Sequence, residues 1–166
     1  MKQVCILFTK YSDFRSRIIY MTTGRQYTHS SIAIEDGTNA EYYSFNYKGF
    51  AVETLEKHKR RGVEDSLCIK LKVSDEKYES MKAIIDEFKN HRDEYHYYPI
   101  GVLFLIMGIP LHFGDKRYVC SHFVAELLEK SETVKLKKRA YNYSPNALIP
   151  MLLELPEYLC SVENIV

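Results

Sequence analysis

Glycine and proline are scarce in this 166-residue chain, at seven and five residues. That excludes collagen-like and Pro/Gly-rich low-complexity classes. Cysteine is scarcer still: four residues, at positions 5, 68, 120 and 160, with no CxxC pair. They are too few and too scattered for a disulfide scaffold. An excess of charge of either sign is also missing, since 23 Lys+Arg stand against 22 Asp+Glu. No strong overall field draws the chain to nucleic acid or to an anionic membrane. Nor is there a long hydrophobic run. The longest, Pro99 to Leu111, would span roughly 20 Å as a helix against roughly 30 Å of hydrocarbon, so no transmembrane segment is expected. It reads first as a core helix, and second as a substrate-facing or membrane-touching apolar wall. The N-terminal run Val4–Phe8 is shorter than the roughly 7–15 apolar residues of a signal peptide. It reads as a buried strand of a cytoplasmic protein with reduced thiols.

What is present is an ordinary globular balance, 46% hydrophobic and 27% charged. Such a length suits one domain, residues 1–166, that buries roughly 70% of its unfolded surface. The patterning predicts strands at Gln3–Thr9, Tyr27–Ile34, Glu41–Asn46 and Phe50–Thr54, with a turn at Glu35-Asp36-Gly37. Alternation from Leu67 to Val73 predicts a half-buried strand. Helices are predicted over Tyr11–Thr23, from Ser74 through Phe88, from Val119 to about Lys130, and from Ser144-Pro145 through Leu153. The charged stretch Leu55–Glu64 reads as a solvated connection. Clustered strands flanked by helices define an α+β fold, a small antiparallel sheet packed against helices.

Two constellations could carry chemistry. In Tyr27-Thr28-His29-Ser30-Ser31-Ile32-Ala33-Ile34 a histidine opens a strand. In Arg117-Tyr118-Val119-Cys120-Ser121-His122-Phe123-Val124 a cysteine sits where a helix begins. Helix N-terminal amides and their dipole favour a thiolate there. A nearby imidazole can take the thiol proton and return it to a leaving group. Taken singly, a cysteine at a helix start and a histidine at a strand edge are usually structural. Their joint occurrence, with the aromatic strand Tyr42-Tyr43-Ser44-Phe45 between them, is what gives weight.

These segments resemble the circularly permuted branch of the NlpC-type, papain-like cysteine hydrolases, a YiiX/YaeF-like branch related to lecithin:retinol acyltransferase. In that branch the histidine strand precedes the cysteine helix, as it does here. The resemblance runs from about Val4 to about Leu153. It implies a permuted papain-like fold with Cys120 as nucleophile and His29 as base. It also implies a third polar residue on the strand after the histidine strand. Matching Tyr42-Tyr43 to the family's apolar pair selects Ser44, and direct counting selects Glu41. Ser44 is preferred, although a hydroxyl there departs from the carboxylate, amide or histidine of many relatives.

The expected activity is a thiol hydrolase or acyltransferase (amidase, cysteine peptidase or lipid acyl hydrolase) working through a thioester, without metal or other cofactor. Its substrate would be a small molecule, lipid or peptide. The competing reading is a non-catalytic lipid- or peptide-binding protein on the same scaffold; a nucleic-acid partner is least favoured. His122 lies about 200° around its helix from Cys120 and is discounted as the base. His112, Cys120 and His122 match no zinc spacing. Cys5 and Cys68 read as core residues and Cys160 as part of a tail. The apolar residues Val102, Leu103, Leu105, Ile106 and Met107 could wall a cleft for an acyl chain.

Overall fold

The computed structural model describes residues 1–11, 26–35, 40–112, 114–155, 159–163 and 165–166. The expected helix beyond Tyr11 and most of the Glu35-Asp36-Gly37 turn lie outside the described residues. The chain is α+β. Six antiparallel strands form one sheet: β1 (Lys2–Tyr11), β2 (His29–Ala33), β3 (Tyr42–Asn46), β4 (Gly49–Glu53), β5 (Val63–Val73) and β8 (Leu159–Glu163), in the order β4-β3-β2-β1-β5-β8. Two short strands, β6 (His96–Tyr97) and β7 (Arg117–Tyr118), pair in parallel beside it. Among the described residues the α-helices are α1 (Leu55–Arg60), α2 (Asp75–Asn90), α3 (Pro99–Met107), α4 (Cys120–Lys130) and α5 (Pro145–Leu153).

The main core follows from residue period. On β1, Val4, Ile6 and Phe8 point to one face, and Ile32, Phe45, Phe50, Ile69 and Leu71 extend that face across the sheet. α2 covers it with Met81, Ile85 and Phe88, and α4 with Phe123, Val124 and Leu127, as helical spacing requires. Aromatic rings lock the junction: Phe88 meets Phe123 at 5.1 Å and Phe45 meets Tyr118 at 4.9 Å between centroids. Such pairs add about 0.5–1.5 kcal/mol each beyond their buried area. The Ser74 and Ser144 hydroxyls cap α2 and α5, accepting from the Lys77 and Ala147 amides. This packing sets the first residue of α4 against the β2–β3 side of the sheet.

Four expectations change. The solvated connection at Leu55–Glu64 contains helix α1, begun by the Thr54 hydroxyl accepting from the Lys57 amide, and it buries His58. Its charges mask one inward-facing residue. The Cys160 tail is strand β8, paired with β5. Cys5 and Cys68 are buried as expected, but they are joined as a disulfide between β1 and β5 and are not the reduced thiols expected. Register explains this: Cys5 stands opposite Lys70, two positions from Cys68 on the same face, although 63 residues separate the cysteines in sequence. Finally, α3 is not a core helix, since only Gly101 is buried in it. Gly101 is needed because a Cβ there would meet the Tyr98 ring at 2.3 Å. Gly108, at φ 69°, ends the helix in the left-handed conformation.

Candidate active site

Three elements converge on one cleft: His29 is the first residue of β2, Glu53 the last of β4 and Cys120 the first of α4. The Cys120 thiol and the His29 ring line the same cleft, close enough for each to shift the other's titration. His29 Nε2 lies 2.8 Å from Glu53 Oε2. With Nε2 held by the carboxylate, Nδ1 is the ring nitrogen left to take the thiol proton. Cys120 is partly exposed, whereas His29 and Glu53 are buried.

The electrostatics favour an ion pair. Burial pushes the Cys120 thiol up, but the hydrogen bond and charge of His29, together with Ser30, bring it below its ordinary value. Burial works against a charged His29, yet the Glu53 carboxylate and the contact with Cys120 hold it well above the usual imidazole range. Glu53 remains ionised despite burial, because His29, then His58 and Arg61, hold it far below the carboxylate range. The Arg61 guanidinium donates to Glu53 Oε1 at 2.9 Å. The Tyr11 hydroxyl and His58 Nδ1 lie 2.7 Å apart behind the carboxylate. His58, first by burial and then by the His29 and Arg61 charges, is pushed down to about 4 despite the attraction of Glu53.

Neither expected third residue holds the His29 ring. Ser44 is buried in mid-strand, and its hydroxyl donates to the Ser30 carbonyl at 2.6 Å. Glu41 precedes β3, accepts from the Tyr43 hydroxyl at 2.7 Å and pairs with Lys89 at 3.6 Å. The orienting group comes instead from the next strand over, where Glu53 stands opposite Tyr42 in register. Sequence reasoning missed Glu53, Arg61, Tyr11 and His58. One signal was available: a carboxylate ending the apolar run Phe50-Ala51-Val52-Glu53 needs a partner once that strand is buried.

His122 does not serve the sulfur. Its Nε2 meets Glu126 Oε2 at 2.9 Å, and its ring stacks on Tyr118. The His112 and His122 rings are 4.8 Å apart. Among the described residues no three His, Cys, Asp or Glu side chains are grouped to hold a metal ion.

The cleft measures about 740 Å³. Val102, Leu105 and Ile106 of α3 and Phe45 give it an apolar wall, while Tyr11, Thr28, Arg61 and Asn146 supply polar lining. The Ser121 hydroxyl also lines it, buried and without a hydrogen-bond partner among the described residues. Leu103 and Met107, expected in that wall, face outward. At the start of α4 the Cys120 amide has no intrahelical acceptor and is free to donate.

No family model matches the chain, and no curated protein matches it. Among solved structures, the chain is similar to metalloprotein yiiX (DUF1105) from Escherichia coli O157:H7. The identity is 13% and the TM-score 0.55, over 99% of this chain and 96% of that one. The two proteins share an overall fold.

Proposed function

We propose that the chain is a cysteine-dependent hydrolase or acyltransferase of the permuted NlpC-type, papain-like kind, acting on an amide or ester. The observation that carries this reading is the convergence of Cys120, His29 and a buried Glu53 on one cleft, with His29 Nε2 2.8 Å from the carboxylate. His29 holds the thiol proton, and the Cys120 thiolate attacks the substrate carbonyl carbon, forming a carbon–sulfur bond. The Cys120 amide and the unpartnered Ser121 hydroxyl are the donors available to the carbonyl oxygen as it becomes an oxyanion. Collapse breaks the C–N or C–O bond, and the His29 imidazolium protonates the departing amine or alcohol, leaving a thioester. Water, or an acyl acceptor, then gives a proton to His29 and attacks the thioester carbon; the C–S bond breaks, the acid or the transferred acyl product leaves, and the His29 proton returns to the sulfur. Glu53 holds the imidazole tautomer and stabilises its charged form.

The apolar wall beside Cys120 suits an acyl chain better than an extended polar peptide, so a lipid-like acyl ester or amide is the favoured substrate class. The yiiX neighbour is described as a metalloprotein. Among the described residues no three His, Cys, Asp or Glu side chains come together at this cleft to hold a metal ion.

The test is alkylation of Cys120 by iodoacetamide across pH. Labelling should remain fast below the ordinary thiol pKa, and His29→Ala should slow it at neutral pH by roughly tenfold or more. Slow labelling that His29→Ala leaves unchanged means a binding scaffold without thiolate chemistry.

A further inference from the structure

The near-zero net charge and the short length of α3 argue against a membrane only at the level of the whole chain. Locally the surface is different. From Pro99 to Gly114 there is no carboxylate, and from Pro99 to Leu111 no polar side chain at all. The helix shows an apolar residue on every side. Val102, Leu105 and Ile106 turn into the cleft, while Ile100, Leu103 and Met107, spaced i, i+3 and i+7, share the opposite face. These three are 54%, 53% and 61% exposed, and Leu111 beyond the helix is 48% exposed. Such clustering on one element marks an interaction surface, whereas scattered exposed residues do not.

A basic run reaches the C-terminal end of this helix through Lys138. Lys135, Lys137, Lys138 and Arg139 are exposed and follow one another with only Leu136 between them. Lys138 lines the same surface hollow as Phe104, Gly108, Ile109 and Pro110. Lys137 is paired with Glu154 at 3.0 Å, and Lys138 also lies over the Tyr143 ring. At nine residues α3 is roughly 14 Å long, and no described helix is long and apolar enough to cross a membrane. An apolar helix face with a basic run at its end is the arrangement that rests in the headgroup region of an anionic bilayer.

We propose that α3 is an interfacial docking element that seats the mouth of the Cys120 cleft on an anionic lipid surface. Ile100, Leu103, Met107 and Leu111 enter the acyl boundary, and the Lys138–Arg139 edge meets the phosphates. The inner face of the same helix then leads from the bilayer to the cleft. This goes beyond the proposed chemistry and does not require turnover by Cys120.

The test is vesicle flotation of the full chain, with phosphatidylcholine containing phosphatidylglycerol compared with phosphatidylcholine alone. The chain should float with the anionic vesicles, and Leu103→Ser/Met107→Ser should lower its partitioning by roughly tenfold. Lys138→Glu/Arg139→Glu should reduce the preference for phosphatidylglycerol and its sensitivity to salt. Iodoacetamide labelling of Cys120 should be unchanged in both variants, because none of these side chains reaches the sulfur. Absence of flotation, or flotation unaffected by the Leu103/Met107 pair, overturns the proposal. So does a sedimenting dimer that the pair abolishes without any vesicle binding, which would make a second copy the occupant. Flotation with an unreactive Cys120 keeps the docking surface and removes the thiol mechanism; a reactive Cys120 without flotation does the reverse.

Discussion

Two histidine–glutamate pairs in this molecule have nearly the same geometry and opposite surroundings. His29 meets Glu53 at 2.8 Å, and His122 meets Glu126 at 2.9 Å. The first pair joins two strands across 24 positions in sequence; the second is an i,i+4 pair on α4. Glu53 is wholly buried and is held by Arg61 as well. Glu126 is held by Lys130 and by the Tyr118 hydroxyl, and is pushed down to about 2 by His122 and Lys130 against the effect of burial. The second ring stacks on Tyr118 and meets His112 edge-on. The His29 ring, in contrast, shares its cleft with the Cys120 sulfur and is coupled to it. A short imidazole–carboxylate bond is therefore not what marks a candidate catalytic group; what marks it is the group on the ring's other side and that group's access to the cleft.

Neutralising each carboxylate in turn separates the two pairs. Glu53→Gln is expected to lower Cys120-dependent turnover by roughly 10²–10⁴-fold, by removing the charge that holds the His29 tautomer and stabilises its imidazolium. It should also move the alkaline limb of the Cys120 labelling profile to lower pH. Glu126→Gln should leave labelling within about twofold and cost on the order of 1–2 kcal/mol in a urea melt. Equal kinetic losses from the two changes would erase the distinction.

A second effect is expected in stability against pH. His29 has a raised folded-state pKa, so its contribution is fully present below about 6.5 and is lost as pH rises through the raised value. His58, held down to about 4, behaves oppositely. Below about 6.5 the unfolded chain binds a proton that the folded chain refuses until about 4, so stability falls across that window by about 3 kcal/mol. Urea midpoints measured between pH 4 and 9 should peak between these limbs, and His58→Gln should flatten the acid one. An acid limb that persists unchanged in His58→Gln would place its origin elsewhere.

The smallest effects belong to the two third residues expected from sequence. Ser44→Ala should cost about 1 kcal/mol, since it strips a hydrogen bond from the buried Ser30 carbonyl, with little change in labelling. Glu41→Gln, on the rim beside Lys89, should change either measurement by less. A large kinetic loss from Ser44→Ala would return the orienting role to β3.

The legible part of the fold was whatever repeats locally. The alternation of Leu67–Val73, the Ser74 and Ser144 caps and the apolar stripe of α2 each lie within a few residues, and the structure shows strands and helices where those patterns place them. α1 was hidden because four of its six residues are charged, which masks the buried His58 and the partly buried Leu55. The exposure of α3 was hidden because an all-apolar segment has no polar face to show which side meets water.

By itself the sequence determined the α+β pattern, the placing of Cys120 at the head of a helix and of His29 at the start of a strand, and the i,i+4 neighbourhood of His122 and Glu126. These depend on backbone periodicity and on groups only a turn apart. The tertiary structure alone decided that Glu53 reaches His29, that Arg61 and His58 surround it, that Cys5 meets Cys68, and which face of α3 lines the cleft. Those contacts depend on strand order and register, and neither is written in the spacing of residues along a single element.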